Sequence, residues 1–182
     1  AYYALNGLQL EAQADNKANA TNSLPTLIVN TPKAAAGFDT RHIIYTRSPH
    51  QLEYFARNEW VDTPSNMLQP LMVAAIEHTQ AFNAVVPKLA AVKTDLRLET
   101  EMLSLVQDFN SKPSAVRFAL RATIIDSNGK IVALREFATQ VQSNSDNPIG
   151  GVKAANQAVN IVLKQLADFC AETAKNWKPS DK

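Results

Sequence analysis

The amino-acid sequence predicts an α+β fold, in which a mostly antiparallel or mixed β-sheet carries two main helices on one face. One observation is a hairpin signal: residues 115–126 alternate apolar and polar side chains, and 131–141 follow as their partner after an Asn128-Gly129 turn. Another is the closing segment 148–177, whose apolar residues recur at helical spacing. The third is the order strands, helix, strands, helix, in which hairpins predominate over crossovers. Both helices are therefore expected on one face of the sheet.

Length, charge and cysteine usage set the outer limits on function. The 182 residues suit a single domain, 1–182, which is large enough to bury a core. The net charge is +1 and no run of lysine and arginine is present, so the sequence does not predict nucleic acid as a partner. No apolar stretch reaches the length that spans a bilayer. The lone cysteine, Cys170, cannot form an internal disulfide.

The first forty residues predict two strands and two connections. Residues 2–10 and 24–30 have strand patterns. Between them, residues 11–23 are polar and rich in alanine, which predicts a mobile loop. Residues 31–40 are read as a connection. At the other end of the chain, residues 178–182 are expected to fray.

The central stretch 41–78 predicts a strand pair followed by a helix. Strands 42–47 and 52–58 are joined by a turn at Ser48, Pro49 and His50. Asp62, Thr63 and Pro64 form a helix-start signal, because proline at the first helical position loses no hydrogen bond. The apolar stripe of this helix is Met67, Leu68, Leu71, Met72, Ala75, Ile76 and Thr79. Pro70 leaves two alternatives, a helix that begins nearer to it or a first turn that is kinked there.

The second half of the chain predicts the longest elements. Residues 81–86 form a strand that Pro87 ends, and residues 94–109 form a long strand whose apolar phase flips at Leu103, as a β-bulge produces. The closing helix begins at Pro148 after the polar stretch 142–147. Its apolar stripe is Val152, Ala155, Val159, Val162, Leu163, Leu166, Phe169, Cys170 and Thr173. Its solvated face carries Lys153, Asn156, Asn160, Lys164 and Asp168.

Residue patterns that carry chemistry are sparse, and no catalytic, metal-binding or cofactor-binding residue is assigned. The three histidines, at positions 42, 50 and 78, do not stand at metal-ligand spacing. Cys170 lies on a core stripe, and Glu99 and Glu101 are read as a solvated strand face rather than an acid–base pair. The Gly150-Gly151 pair is read as a flexible helix start.

Four aromatic residues lie close together in the central sequence. Tyr45, Tyr54, Phe55 and Trp60 have two readings, the lining of a ligand pocket or packing under the first helix. For Trp60 we expect a core or helix-anchoring role.

The same stretch has a distinctive pattern of two strands, a tryptophan and a helix start. The pattern consists of Ile43, Ile44, Tyr45, Arg47, Ser48, Pro49, Leu52, Glu53, Tyr54, Trp60, Asp62 and Pro64. In these residues it resembles the ABC-type transport auxiliary lipoprotein family, whose PqiC-like members accompany mammalian-cell-entry (MCE) lipid-transport systems. The motif residues that we carry over as structural are Tyr45, Arg47, Pro49, Tyr54, Trp60, Asp62 and Pro64.

The resemblance implies a non-catalytic lipoprotein on the periplasmic side of the outer membrane, with no cofactor. Its implied partners are an MCE-family protein or ABC transporter subunits, and copies of itself. A signal peptide and a lipidated cysteine are expected to precede Ala1. Candidate partner contacts are the loop 11–23, the turn at Ser48, Pro49 and His50, and the stretch from Gln142 to Asn147, because binding residues concentrate on loops. The alternative is a small-ligand-binding domain or an enzyme whose site is built from scattered residues.

Overall fold

A computed structural model describes residues 1–7, 24–88 and 93–179, and within these ranges the chain forms nine strands and two helices. The strands are β1 (Tyr2–Tyr3), β2 (Thr26–Val29), β3 (Lys33–Ala34), β4 (His42–Thr46), β5 (Glu53–Trp60), β6 (Ala84–Pro87), β7 (Leu96–Asp108), β8 (Ala115–Asp126) and β9 (Ile131–Gln142). The helices are α1 (Pro64–His78) and α2 (Pro148–Asn176). The predicted loop 11–23 and positions 180–182 of the predicted tail lie outside the described residues.

The sheet is mixed and is organised around β7. One edge of β7 pairs antiparallel with β8, which pairs antiparallel with β9. The other edge pairs in parallel with three short strands in turn, β2, β3 and β4. β6 extends the sheet beyond β2, while β5 and then β1 extend it beyond β4. The predicted α+β fold with a mixed sheet and two helices is therefore confirmed.

The long hairpin strands follow the predicted pattern closely. The apolar face of β8 is buried and consists of Val116, Phe118, Leu120, Ala122 and Ile124. The β7–β8 register shifts between Met102 and Ser104, so Leu103 is the extra residue of the predicted bulge. Gly129 adopts φ +80° in the turn that leads into β9.

Helix α1 begins where the proline signal places it. Thr63 is the N-cap, with its side chain accepting a hydrogen bond from Asn66 N, and Pro64 occupies the first turn. The helix continues through Pro70, so the alternative start nearer to Pro70 is wrong.

Helix α2 packs beside α1 against the same core. Asn147 caps it by accepting a hydrogen bond from Gly150 N at 2.9 Å. Its predicted stripe is buried except for Thr173, and it packs against β8 and β9. Within the described ranges, neither helix combines the length and the apolar character needed to span a bilayer.

The two glycines at the start of α2 are close-packed positions, so their reading as a flexible helix start is wrong. A Cβ on Gly150 overlaps the backbone oxygen of Ser145, and a Cβ on Gly151 overlaps Oε1 of Gln107. Both glycines are buried. Gly151 allows the first turn of α2 to lie directly on β7, and Gly150 allows it to lie on the preceding loop.

Of the predicted strand 2–10, positions 8–10 lie outside the described residues, and within 1–7 the strand ends early. Pairing ends at Tyr3, because the chain then leaves β5 and crosses to α2. There the Asn156 side chain accepts from Asn6 N at 2.6 Å and donates to Ala4 O at 3.2 Å. Asn156, which was predicted on the solvated face of α2, therefore fixes the N-terminal segment. Strand β3, within the predicted connection 31–40, was not predicted.

Candidate interaction surfaces

The turn between β4 and β5 is exposed and has a fixed backbone. Pro49 and His50 are exposed, and His50 adopts φ 67°, a left-handed conformation that is rare for a residue with a Cβ. The Thr46 hydroxyl donates to Ser48 O at 2.8 Å, and the Ser48 hydroxyl donates to Gln51 Oε1 at 3.0 Å. The turn thus presents its side chains on a defined backbone, as a contact site requires.

The four aromatic residues of the central stretch do not form one cluster, so neither reading of them as a unit is correct. Of the four, Tyr45 and Phe55 pack on each other, with ring centroids 4.5 Å apart. Tyr45 also packs on Phe109, which is outside the set, at 5.7 Å. The Tyr45 hydroxyl donates to Glu53 Oε2 at 3.0 Å, and burial, followed by this carboxylate, raises the pKa of Tyr45. Trp60 lies apart in the core, with 3% of its surface exposed.

Other residues carried over from the motif also shape the backbone. Arg47 lies over the Tyr45 ring, 4.9 Å from its centroid. Asp62 accepts hydrogen bonds from Thr63 N at 2.7 Å and from Asn66 Nδ2 at 3.1 Å. Pro64 is buried at the start of α1. The contacts of Asp62 and Pro64 fix the corner between β5 and α1, and the contact of Arg47 lies at the end of β4.

The polar stretch from Gln142 to Asn147 forms a hydrogen-bonded corner that is exposed except at Ser143. Asp146 Oδ1 accepts from Ser114 N at 2.7 Å, and this hydrogen bond lowers the pKa of Asp146. Gln142 ends β9, and Asn147 uses its side chain to cap α2. The corner therefore has a structural role in addition to the contact role predicted for it.

The face of the sheet that the helices leave open carries a set of ion pairs. Arg97 Nε lies 2.9 Å from Glu99 Oε1, and Arg117 Nη2 lies 3.4 Å from Asp108 Oδ2. Arg121 pairs with Glu136 across β8 and β9. Because these charges are matched within the chain, this face is polar without a strong field of one sign.

Strand β9 forms a long edge of the sheet. In the part of the chain that the structure describes, β8 is its sole partner, and Phe137 is its one buried residue. Ile131 and Leu134 are 56% and 55% exposed. A free edge of twelve residues presents backbone N–H and C=O groups to any strand that reaches it.

A second exposed group, which we call the aromatic patch, lies at the opposite end of the sheet. It consists of Tyr2, Arg41, His42, Tyr54 and Glu59. Tyr2 pairs with Glu59, and Glu59 pairs with His42, so these three share one face. The His42 ring stacks on Tyr54 at 4.4 Å, and the Arg41 guanidinium lies 5.8 Å from the centroid of Tyr2.

The aromatic patch was not predicted from the sequence. Tyr2 and Tyr54 are 52 positions apart. A parallel pairing of only two residues, between β1 and β5, places Tyr2 opposite Glu59, and Tyr54 joins the group by stacking on His42. No local pattern signals such a short parallel pairing, so the patch becomes visible only in the folded chain.

A cleft of about 670 Å³ opens where the end of α2 meets the start of β9. Phe169, Trp177 and Val132 are among its apolar lining residues, and the Arg135 guanidinium lies 5.1 Å from the Phe169 ring centroid. Asp126, also in the lining, accepts hydrogen bonds from the Asn128 and Lys130 backbone N–H groups. The cleft offers aromatic surface and a guanidinium to a small amphiphilic molecule.

Cys170 and Glu99, two residues with side chains that could carry chemistry, both make structural contacts. Cys170 is fully buried, and burial raises the pKa of its thiol to about 12, so the thiolate is not available at neutral pH. Glu99 accepts from Asn30 Nδ2 at 2.6 Å in addition to its pairing with Arg97. Across the described ranges, no group of three or more His, Cys, Asp or Glu side chains is placed to hold a metal ion.

Comparison with protein families gives a match over most of the chain. The model of the family described as ABC-type transport auxiliary lipoprotein component matches residues 4–167. No curated protein shows significant similarity to the chain.

Several solved structures share the fold at low sequence identity. A protein from Xanthomonas campestris has a TM-score of 0.82 and 23% identity, with 97% of each chain covered. An uncharacterised protein has a TM-score of 0.71 and 16% identity, covering 92% of this chain and 95% of the other. A hypothetical protein from Chlamydia trachomatis has a TM-score of 0.54 and 6% identity, covering 81% and 98%.

Proposed function

The chain belongs to the family of ABC-type transport auxiliary lipoprotein components, and we propose that it is a non-catalytic assembly partner in an MCE/ABC-type lipid-transport system. In this proposal it faces the periplasm from the outer membrane, held by a lipidated cysteine that precedes Ala1. It docks transporter or MCE subunits and binds copies of itself, so that lipid passes between the two membranes.

The family match carries this proposal. It covers residues 4–167 and therefore includes every described element from β2 to β9 and most of α2. An auxiliary component acts through contacts with other subunits, and the chain offers rigid surfaces for them. The turn at Ser48, Pro49 and His50 and the corner from Gln142 to Asn147 are exposed and held by hydrogen bonds. Fixed surfaces bind at a lower entropic cost than mobile loops.

The free edge of β9 is the surface best suited to self-association. Its exposed Ile131 and Leu134 and its backbone groups are typical of strands that add to another sheet. Two copies, or a copy and a partner strand, would continue the sheet beyond β9. Lysine on an edge strand opposes such pairing, which gives a direct way to test it.

The test is affinity purification of the acylated protein, expressed from its full-length gene, from cross-linked envelope extracts. We expect it to recover MCE-family or ABC transporter subunits together with an untagged copy of the chain. An Ile131→Lys, Leu134→Lys double variant is expected to lose the untagged copy, while Ile161→Lys, an exposed position on α2, keeps it. Recovery of no transporter subunit, or a wholly cytosolic and unacylated protein, contradicts the proposal.

The cleft favours a second candidate function, the binding of a small amphiphile with an acidic group. Its aromatic side chains suit the apolar part of such a ligand. Arg135, Lys93 and Lys178 suit the acidic part, in a lining that also holds the carboxylates of Asp95, Asp126 and Glu172. A ligand that binds the folded state raises the unfolding temperature. Lysophosphatidylglycerol, below its micelle concentration, is expected to raise the Tm of the wild type and not that of Arg135→Glu. An equal response of both proteins rejects the cleft as a binding site.

A further inference from the structure

We propose that the aromatic patch is a membrane-contact surface that rests among the lipid headgroups of the bilayer. This inference deepens the proposed function and rests on it for one point, that the chain is tethered to a membrane ahead of Ala1. It assigns the face of the protein that meets the lipid.

The geometry of the N-terminus connects the patch to any tether. The Ala1 amino group donates to Arg57 O at 2.6 Å, and Ala1 O accepts from Glu59 N at 3.0 Å. The chain therefore enters the fold along β5, beside the patch. A segment that precedes Ala1 would leave the protein at this point, so a tether there holds this end of the sheet, rather than β9, towards the membrane.

The side chains of the patch have the chemistry of the membrane interface. Tyr2 is 69% exposed and Tyr54 is 59% exposed, although large aromatic side chains are usually covered in folded proteins. Tyrosine is enriched at the headgroup level of membranes, because its ring is apolar and its hydroxyl bonds to water or lipid. Val61, two positions beyond Glu59, adds an aliphatic side chain that is 49% exposed.

The charges of the patch agree with a phospholipid surface. Arg41 and the neighbouring Arg57 are exposed, and the ring of His42 lies beside Glu59, with 3.4 Å between Nδ1 and Oε1. The guanidinium groups of Arg41 in the patch and of Arg57 beside it can pair with lipid phosphates. Each contact between the patch and a lipid is weak. A tether keeps the patch close to the bilayer, so that even weak contacts form for much of the time.

The experiment attaches an environment-sensitive NBD fluorophore to a single introduced cysteine. Buried Cys170 is unreactive, so Val61→Cys and Ile161→Cys can each be labelled selectively. Both positions are exposed, at 49% and 42%, one beside the patch and one on α2 rather than on the β9 edge. The full chain is bound through an N-terminal hexahistidine to vesicles of phosphatidylethanolamine and phosphatidylglycerol that contain a nickel-chelating lipid. This artificial tether makes the result independent of whether the natural protein is acylated.

We expect NBD at position 61 to shift to the blue and to brighten several-fold on tethering, and NBD at position 161 to stay unchanged. Adding Tyr2→Ser and Tyr54→Ser to the Val61→Cys protein is expected to abolish most of the change, with circular dichroism showing that the fold is kept. Equal responses at both positions overturn the proposal. The proposal is also overturned if the change at position 61 appears without vesicles when the protein concentration is raised, because the patch then contacts a second copy of the protein.

Discussion

The two faces of the sheet perform different tasks, and neighbouring residues on β8 show the difference. Leu120 is fully buried under the helices, while Arg121, the next residue, lies on the open face and pairs with Glu136. The covered face concentrates the apolar area that stabilises the fold. The open face bears matched charges, and with the edge of β9 and the aromatic patch it is left for contacts. Because successive side chains of a strand point to opposite faces, the residues that stabilise the fold and the residues left for contacts lie on different faces of the sheet.

The largest expected effect is on the covered face. Leu166 is fully buried in the α2 stripe, and Leu166→Asp places an unpaired carboxylate in the interface between helix and sheet. We expect the free energy of unfolding to fall by on the order of 4 kcal/mol. Urea denaturation measures this loss. Lys164→Asp, on the exposed side of the same helix, is the matched control, and a similar loss in both variants breaks the comparison.

A smaller effect is expected where α2 touches the sheet most closely. Gly151→Ala sets a methyl group against Oε1 of Gln107, whose Nε2 donates to Ser114 Oγ at 3.0 Å and to Asn147 O at 3.3 Å. Because moving Gln107 breaks these bonds, we expect a net destabilisation of about 1–2 kcal/mol, after the helix preference of alanine offsets part of the overpacking cost.

A double-mutant cycle sharpens this prediction. In a Gln107→Ala background the added methyl group has room, so Gly151→Ala is expected to cost less there than in the wild type, or to stabilise the protein. Thermal unfolding of the four proteins provides the measurement. Strict additivity of the two substitutions shows that the glycine serves some purpose other than contact with Gln107.

Sequence patterns predict the covered face well, because its signals are local. The alternation in β8, the Asn128-Gly129 turn, the phase change at Leu103 and the stripe of α2 each lie within one continuous segment. Each reports burial directly through side-chain periodicity. The bulge is the clearest example, since a shift of one residue in the apolar phase has one simple structural cause.

Pairings between distant segments escape the same reasoning. Strand β3 has two residues and pairs with β7 across more than sixty positions, so it has no periodicity of its own. The roles of Gly150 and Gly151 depend on Ser145 and Gln107, which approach them only in the folded chain. The same holds for the aromatic patch and the cleft, whose residues come from separate elements. The candidate surfaces were therefore less predictable than the fold.

The smallest effect is expected on the open face. Glu136→Gln removes the carboxylate that pairs with Arg121. Both side chains are about half exposed, Glu136 at 51% and Arg121 at 46%. Water and salt already screen such a pair, and its loss costs little. We expect the urea midpoint at neutral pH to match that of the wild type within error, in low salt and in high salt. A clear loss of stability in low salt that disappears in high salt would show that ion pairs on the open face also stabilise the fold. The two faces would then not have different tasks.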